Sequence, residues 1–214
     1  MLHRRSILFA SSFLALATAS VQAGLIITLT EQEISGTTAI VATYSGSLDL
    51  SATSPGRSGQ LGGSSPNFLM AVRPSVGELY LHAGSVNFYP VTPQGGAFGT
   101  GTATIAYVRA PATSAGARQY SYPNPAPAYG LTGNEFAIST GYTPGGLISG
   151  TTNFLTTTFA DWGVTPGANT TYAIDNTTET VTINVVPEPT VLAAVACGAG
   201  LVALMRRRGR RQNS

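Results

Sequence analysis

Apolar and polar residues alternate with a period of two along most of the chain between residues 24 and 186. Short runs rich in Thr, Val, Ile, Tyr and Phe are separated by clusters of Gly, Pro, Ser, Asn and Asp. This period places successive side chains on opposite faces of a strand, and the many glycines and prolines disfavour helix interiors. The pattern predicts no helix here and ten strands, at residues 25–33, 38–48, 67–73, 78–82, 85–91, 100–109, 134–140, 153–160, 171–174 and 179–186.

The last predicted strand shows the alternation most clearly. Val181, Ile183 and Val185 would face a core, and the residues between them would face solvent. A turn at residues 175–178 would join this strand to the one before it. The fold class is therefore expected to be all-β, an antiparallel β-sandwich or jelly-roll-like ectodomain over residues 24–185. The abundant Thr and Ser are interpreted as solvent faces of strands, with O-linked sugar sites as the alternative.

Two long segments between the predicted strands have the composition of surface loops. Residues 51–66 offer almost nothing to bury, and residues 110–129 hold four prolines. Tyr120, Tyr122 and Tyr129 lie in the second segment. They could stack on sugar rings or on a partner, but covering an open sheet edge is the simpler expectation.

The beginning of the chain predicts export. A basic start is followed by an apolar stretch over residues 7–19 and by small residues before Gly24. This order is typical of a secretory signal peptide, here residues 1–23, which signal peptidase would cut between Ala23 and Gly24. Cleavage after Ala19 and an uncleaved N-terminal anchor are the alternatives.

The end of the chain predicts a membrane anchor. An uninterrupted apolar run covers residues 191–205. A helix over about 190–205 would cover about 24 Å of a hydrocarbon core about 30 Å thick, and local thinning or snorkelling side chains could supply the rest. Basic flanks resist translocation, so the tail 206–214 is expected in the cytoplasm. Its topology-determining residues are Arg206, Arg207, Arg208, Arg210 and Arg211.

A short strip of Val186, Pro187, Glu188 and Pro189 precedes the apolar run. Its prolines fix φ near −65° and lack N–H donors, so the strip stays extended and displays the carboxylate. Strip, apolar run and arginine cluster together resemble the C-terminal sorting signal of bacterial PEP-CTERM proteins. The resemblance implies that a membrane-embedded exosortase recognises the strip and processes the segment 186–214. A simple stop-transfer anchor that no enzyme cuts is the alternative.

Two internal stretches faintly resemble the Gly/Ser/Thr-rich β domains that commonly precede this sorting tail. They are residues 44–49 and residues 159–167. The similarity is lost at residues 169–172, where an aromatic-rich strand would be more familiar. Such domains generally have no assigned activity, so the resemblance implies placement in the cell rather than chemistry.

Charge and cysteine content exclude several classes of function. Between residues 24 and 186 there are four arginines, eight carboxylates and no lysine, a formal net charge of −4. A mildly acidic domain with scattered arginines does not predict nucleic-acid binding. The single cysteine, Cys197, lies in the apolar tail. The exported part is therefore expected to have neither a disulfide nor a thiolate metal site.

Candidate catalytic residues are few. His82 is the only histidine beyond the signal peptide, and on a strand it would share a face with Glu78 and Tyr80. We expect it to be an exposed strand residue, with a Glu/His pair as the alternative. Glu31 and Glu33 share a strand face instead of converging from two strands, as paired glycosidase carboxylates do. Trp162 is expected in the core. No nucleophile elbow, phosphate loop or calcium loop occurs, so the sequence predicts no catalytic residue, metal or cofactor.

These expectations combine into a non-enzymatic cell-surface or extracellular-matrix-associated protein. The precursor would be anchored in the inner membrane, with its N-terminus outside and its C-terminus in the cytoplasm. Expected partners are signal peptidase, an exosortase-like membrane enzyme and membrane lipid, with an exopolysaccharide or surface glycan as a further possibility. A membrane-anchored carbohydrate-binding or carbohydrate-processing domain is the alternative.

Overall fold

The computed structural model describes residues 24–61, 69–82, 84–102, 105–109, 118–121 and 129–187. Most of these residues form strands, and the described helical segments are very short. The expectation of an all-β fold is thereby confirmed at the level of secondary structure. The predicted signal peptide and the chain from Glu188 onwards lie outside the described residues.

Thirteen strands account for most of the described chain. They are β1 (Gly24–Ile34), β2 (Thr37–Ser47), β3 (Arg57–Leu61), β4 (Leu69–Arg73), β5 (Glu78–His82), β6 (Gly84–Gln94), β7 (Ile105–Arg109), β8 (Arg118–Ser121), β9 (Tyr129–Thr132), β10 (Glu135–Ser139), β11 (Leu147–Leu155), β12 (Asn169–Ile174) and β13 (Thr180–Val186). A 3-10 turn covers Pro74–Val76, and the one-turn helix α1 covers Phe159–Trp162.

The strands pair in one continuous order, β10-β9-β5-β4-β7-β8-β11-β2-β1-β13-β12-β6-β3, and β10 also pairs with β6. β1 with β13 and β7 with β8 are parallel, so the prediction of a purely antiparallel sheet is wrong at these two pairs. In the first of them Leu25 lies opposite Val181 and Ile27 opposite Ile183. This register aligns the apolar faces of both strands toward one core.

The core includes contacts between strands that are far apart in this order. Tyr44 on β2 contacts Tyr129 on β9, with ring centroids 5.0 Å apart. The hydroxyl of Thr152 on β11 donates to the carbonyl oxygen of Leu81 on β5 over 2.8 Å. Because β2 and β11 are not neighbours of β5 and β9 in the strand order, these contacts cross the interior of the fold.

The predicted alternation of the last strand is confirmed. Val181 and Ile183 are 0% exposed and Val185 is 3% exposed, whereas the residues between them are half-buried. β13 also forms the expected hairpin with β12. Each side chain of this strand therefore lies on the face that its sequence position predicts.

Both segments predicted as loops contain strands. β3 lies within residues 51–66 and pairs antiparallel with β6, and two of the paired positions also join polar side chains. Ser58 donates to Asn87 over 2.7 Å, and the Gln60 amide donates to Ser85 over 2.9 Å. An edge strand of this kind shows no apolar alternation, so the sequence conceals it. β8 and the start of β9 likewise lie within residues 110–129.

The predicted strand at residues 153–160 is wrong in its second half. β11 ends at Leu155, and α1 follows within a capping box. In this box the Thr158 hydroxyl accepts from the Asp161 N–H, and the Asp161 carboxylate accepts from the Thr158 N–H. Gly163 ends the turn in the left-handed conformation at φ 60°. Four residues are too few for helical periodicity to be visible in the sequence.

A second correction concerns the predicted strand 100–109: among its described residues, 100–102 and 105–109, only those of β7 are in a strand. The backbone before β7 packs against the end of α1, where Thr100 donates to the carbonyl of Gly163 over 2.8 Å and Gly101 to that of Trp162 over 3.2 Å. A Cβ on Gly101 would lie 2.4 Å from the Trp162 carbonyl oxygen. Gly101 therefore permits a close approach of two backbones.

Candidate functional site

The predicted processing points lie at the two ends of the paired strands. Gly24, the residue after the predicted signal-peptide cleavage, is the first residue of β1, and Ala23 lies outside the described residues. Val186 is the last residue of β13, and Pro187 follows it directly. Of the predicted sorting strip, these last two are described, whereas Glu188, Pro189 and the five arginines of the tail are not.

Hydrogen bonds hold the end of β13 on both sides. We call this point, where the described chain ends one residue after Val186, the C-terminal exit. Val186 lies opposite Thr30 of β1. One residue earlier, the Val185 N–H donates to the carbonyl of Ala168 over 2.9 Å, and the Val185 carbonyl accepts from the N–H of Gly167 over 2.7 Å. The strip therefore starts at the last residue of a strand that is hydrogen-bonded along both edges.

The two predicted processing points lie at opposite ends of one strand pair. β1 and β13 run parallel, from Leu25 opposite Val181 to Thr30 opposite Val186. At about 3.3 Å per residue, Gly24 and Val186 are about 20 Å apart along the strand direction. Beyond Thr30, β1 continues to Ile34 and enters the turn to β2, so this hairpin flanks the C-terminal exit.

Glu31, an acidic residue near the C-terminal exit, has a structural role. A carboxylate oxygen of Glu31 accepts a hydrogen bond from the backbone N–H of Phe159, the first residue of α1. This satisfies one of the N–H groups that a helix leaves unpaired at its start. Glu33 is exposed near the hairpin turn.

His82 is buried, and the expectation of an exposed strand histidine is wrong. It is 2% exposed and lies against Tyr129, with ring centroids 5.7 Å apart. The pairing of β5 with β9 shifts register between Tyr80 and His82, and this bulge turns His82 away from the face it would share with Tyr80. Burial also raises the pKa of the Tyr129 hydroxyl, which therefore stays neutral. Tyr129, expected at the surface, is 0% exposed.

An ion pair fastens the edge strand β3 to β10, across the strand β6 that pairs with both. Arg57 donates to both carboxylate oxygens of Glu135, over 3.1 and 2.6 Å, and its guanidinium carbon lies 3.6 Å from the ring centroid of Phe88. The hydrogen bond from Arg57 lowers the pKa of the Glu135 carboxyl. The pair therefore stabilises the folded state fully above the unfolded-state pKa of Glu135, and this contribution disappears as the pH falls through the lowered folded-state pKa.

We expect Glu135→Gln to reduce the free energy of unfolding by about 0.5 kcal/mol at about pH 7, because the pair is partly solvent-exposed. The variant should lose less stability than the wild type between about pH 5 and pH 3. Urea unfolding at both pH values measures this. The matched control is Glu33→Gln, at an exposed carboxylate without an ion pair among the described residues. Equal acid sensitivity of wild type and Glu135→Gln would contradict the assignment.

Five neighbouring strands, β11, β2, β1, β13 and β12, form an ordered polar surface that the sequence alone does not predict. Their registers align the outward side chains in two rows. We name these ten residues the hydroxyl face. The first row is Ser149, Ser45, Ile26, Thr182 and Thr171, and the second row is Thr151, Thr43, Thr28, Asn184 and Asn169. The Thr/Ser alternation along each strand was visible in the sequence, but the alignment of the rows was not.

Comparison of the chain with protein-family models, with curated proteins and with solved structures finds no match. Within the part of the chain that the structure describes, no helix has the length and apolar character needed to cross a membrane. The span predicted over residues 190–205 lies outside that part.

Proposed function

We propose that this chain is an exported, non-enzymatic surface or matrix-associated protein of the PEP-CTERM type, sorted through residues 186–214. One observation carries the proposal: both predicted processing points flank the paired strands without interrupting them. Cleavage after Ala23 leaves every pairing of β1 intact, and the strip begins where the pairing of β13 ends. Removal of either signal would therefore not dismantle the sheet.

The proposal includes orientation and partners. Signal peptidase acts at Ala23, an exosortase-like membrane enzyme reads Pro187, Glu188 and Pro189, and lipid surrounds residues 190–205. The arginine cluster keeps the C-terminus in the cytoplasm. The exit end of the folded part, with the β1–β2 hairpin, then lies toward the membrane, and Gly24 lies away from it. The finer fold, a jelly-roll-like sandwich, belongs to the same proposal and is supported by the contacts that cross the interior of the fold.

The test is Glu188→Ala, expressed in a host that carries an exosortase. We expect export and signal-peptide removal to continue while a full-length anchored precursor accumulates, because recognition of a carboxylate between two prolines depends on charge as well as shape. Glu188→Gln keeps the size of the side chain. A similar defect in this variant indicates a charge-assisted contact, for which an arginine of the enzyme is the expected partner. Immunoblots of membrane and surface fractions measure the outcome.

The matched control is Glu33→Ala, which removes an exposed carboxylate near the same end of the folded part. It should be processed like the wild type. The simple-anchor alternative expects identical processing in the wild type and in all three variants. Unchanged mature mass in both Glu188 variants would refute the sorting proposal and leave the strip as a rigid spacer before an anchor.

A further inference from the structure

The hydroxyl face combines hydrogen-bonding capacity with an absence of charge. Nine of its ten side chains are Thr, Ser or Asn, and none carries a charge. Within it, the Asn169 amide donates to Asn184 over 2.6 Å, and the Thr171 and Thr182 hydroxyls lie 3.1 Å apart. An amide has two donors and a carbonyl oxygen, and a hydroxyl both donates and accepts. These groups therefore retain capacity for a ligand after satisfying one another.

One apolar side chain lies near the centre of this face. Ile26 is 43% exposed. It borders a groove of about 260 Å³ whose lining includes Thr171, Thr182 and Asn184. On the side toward β2 it borders another of about 230 Å³, whose lining includes Thr28, Thr43 and Ser45. The surface thus offers an apolar ridge between two shallow grooves, each of which has hydroxyl groups in its lining.

The chemistry of the face selects among possible partners. Nucleic acid and anionic lipid surfaces need basic side chains, which the face lacks. A stable protein interface needs an apolar core, usually with aromatic residues, and Ile26 alone does not provide one. An uncharged polymer rich in hydroxyl groups matches both the lack of charge and the many hydroxyl groups of this face.

We propose that the hydroxyl face binds a neutral polysaccharide, whose hydroxyl groups exchange hydrogen bonds with the Thr, Ser and Asn side chains while Ile26 packs against the apolar face of a sugar ring. Each contact is weak, because every protein–ligand hydrogen bond replaces one to water. A polymer gains by binding several sugar units at once. The polymer should therefore bind far better than its monosaccharide. This inference goes beyond the sorting proposal and does not depend on it.

The test uses the full chain, purified in a polyoxyethylene detergent that contains no sugar. The protein is mixed with cellulose, curdlan, starch or cross-linked dextran, and the fraction removed from solution is measured. Carboxymethyl-dextran serves as the charged comparison. We expect at least one neutral polymer to retain the protein, with little competition from free glucose. Failure of every neutral polymer to retain it, or retention by carboxymethyl-dextran alone, would overturn the proposal.

The decisive variant is Thr28→Val combined with Thr182→Val, one substitution in each groove. Valine keeps the branched shape and the strand preference of threonine but removes the hydroxyl. Loss of two hydrogen bonds should weaken binding about tenfold. The control combines Thr143→Val with Thr165→Val, at exposed residues outside the strands, and it should bind like the wild type. Unfolding temperatures verify that both proteins are folded.

Retention and molecular mass together distinguish polysaccharide binding from self-association. Equal retention of wild type and the groove variant would overturn the binding proposal. A change of molecular mass in light scattering, with retention unaltered, would instead make the face an interface between copies of this chain, and would equally overturn it. Glu188→Ala should leave polysaccharide binding unchanged. Failure of the binding proposal and failure of the sorting proposal are thus distinguishable.

Discussion

Ile183→Asp is expected to abolish the folded state at room temperature. Ile183 is 0% exposed, and it lies between Ile27 of β1 and Thr170 of β12 in the sheet. An unpaired carboxylate at such a position costs several kcal/mol, which is comparable with the whole stability of a domain of this size. Far-ultraviolet circular dichroism and urea unfolding of residues 24–187 measure the loss.

Thr182→Asp is the matched control for this substitution. Thr182 is the preceding residue of β13, and its side chain lies on the opposite, half-buried face. A carboxylate there remains hydrated, so we expect a change below about 1 kcal/mol. Equal damage from the two substitutions would contradict the inward and outward assignment of β13.

Trp162→Ala should cost about 3–5 kcal/mol in the free energy of unfolding. Trp162 is 0% exposed, and its ring meets that of Phe154 edge to face with centroids 5.1 Å apart. Alanine would leave a cavity beside α1, because the capping box and the backbone contact with Gly101 fix the surrounding chain. Urea unfolding followed by circular dichroism measures the cost.

Two comparisons sharpen this prediction. Trp162→Phe should retain much of the stability because it leaves a smaller cavity. Val76→Ala, at a side chain that is 46% exposed, should change the free energy of unfolding by no more than about 0.5 kcal/mol. In the wild type, fluorescence of this single tryptophan should resist quenching by acrylamide. Ready quenching, or a cost below about 1 kcal/mol for Trp162→Ala, would contradict the buried placement.

The sequence was informative about strands that bury a regular apolar row. Val181, Ile183 and Val185 determine both the existence and the facing of β13, since no other arrangement hides all three. β3 escaped prediction because Leu61 is its only apolar residue, and the other four give no apolar alternation. The burial of His82 was not predicted either. It accompanies a register shift in the pairing of β5 with β9, and β9 lies far from β5 in the sequence.

The sorting strip and the hydroxyl face also differ in how far the sequence predicts them. The strip at Pro187 was visible because its residues are contiguous, and the structure adds only where the preceding strand ends. The hydroxyl face is built from β11, β2, β1, β13 and β12. Its rows require registers that local alternation does not contain, so Ser149 and Thr171 could not be placed on one surface without the pairing of the strands between them.

The pairing of β1 with β13 also determines how late in synthesis or export the sheet can be completed. β1 leaves the ribosome or a translocation channel before every other described strand, whereas β13 leaves after all of them. Until Val186 has emerged, one edge of β1 has no partner strand. Leu25, Ile27 and Leu29 then lack the neighbouring apolar residues of β13. Contacts between such distant parts of the sequence form slowly. A chain that stalls before Thr180 would therefore be held as an open-edged intermediate exposed to aggregation and proteolysis.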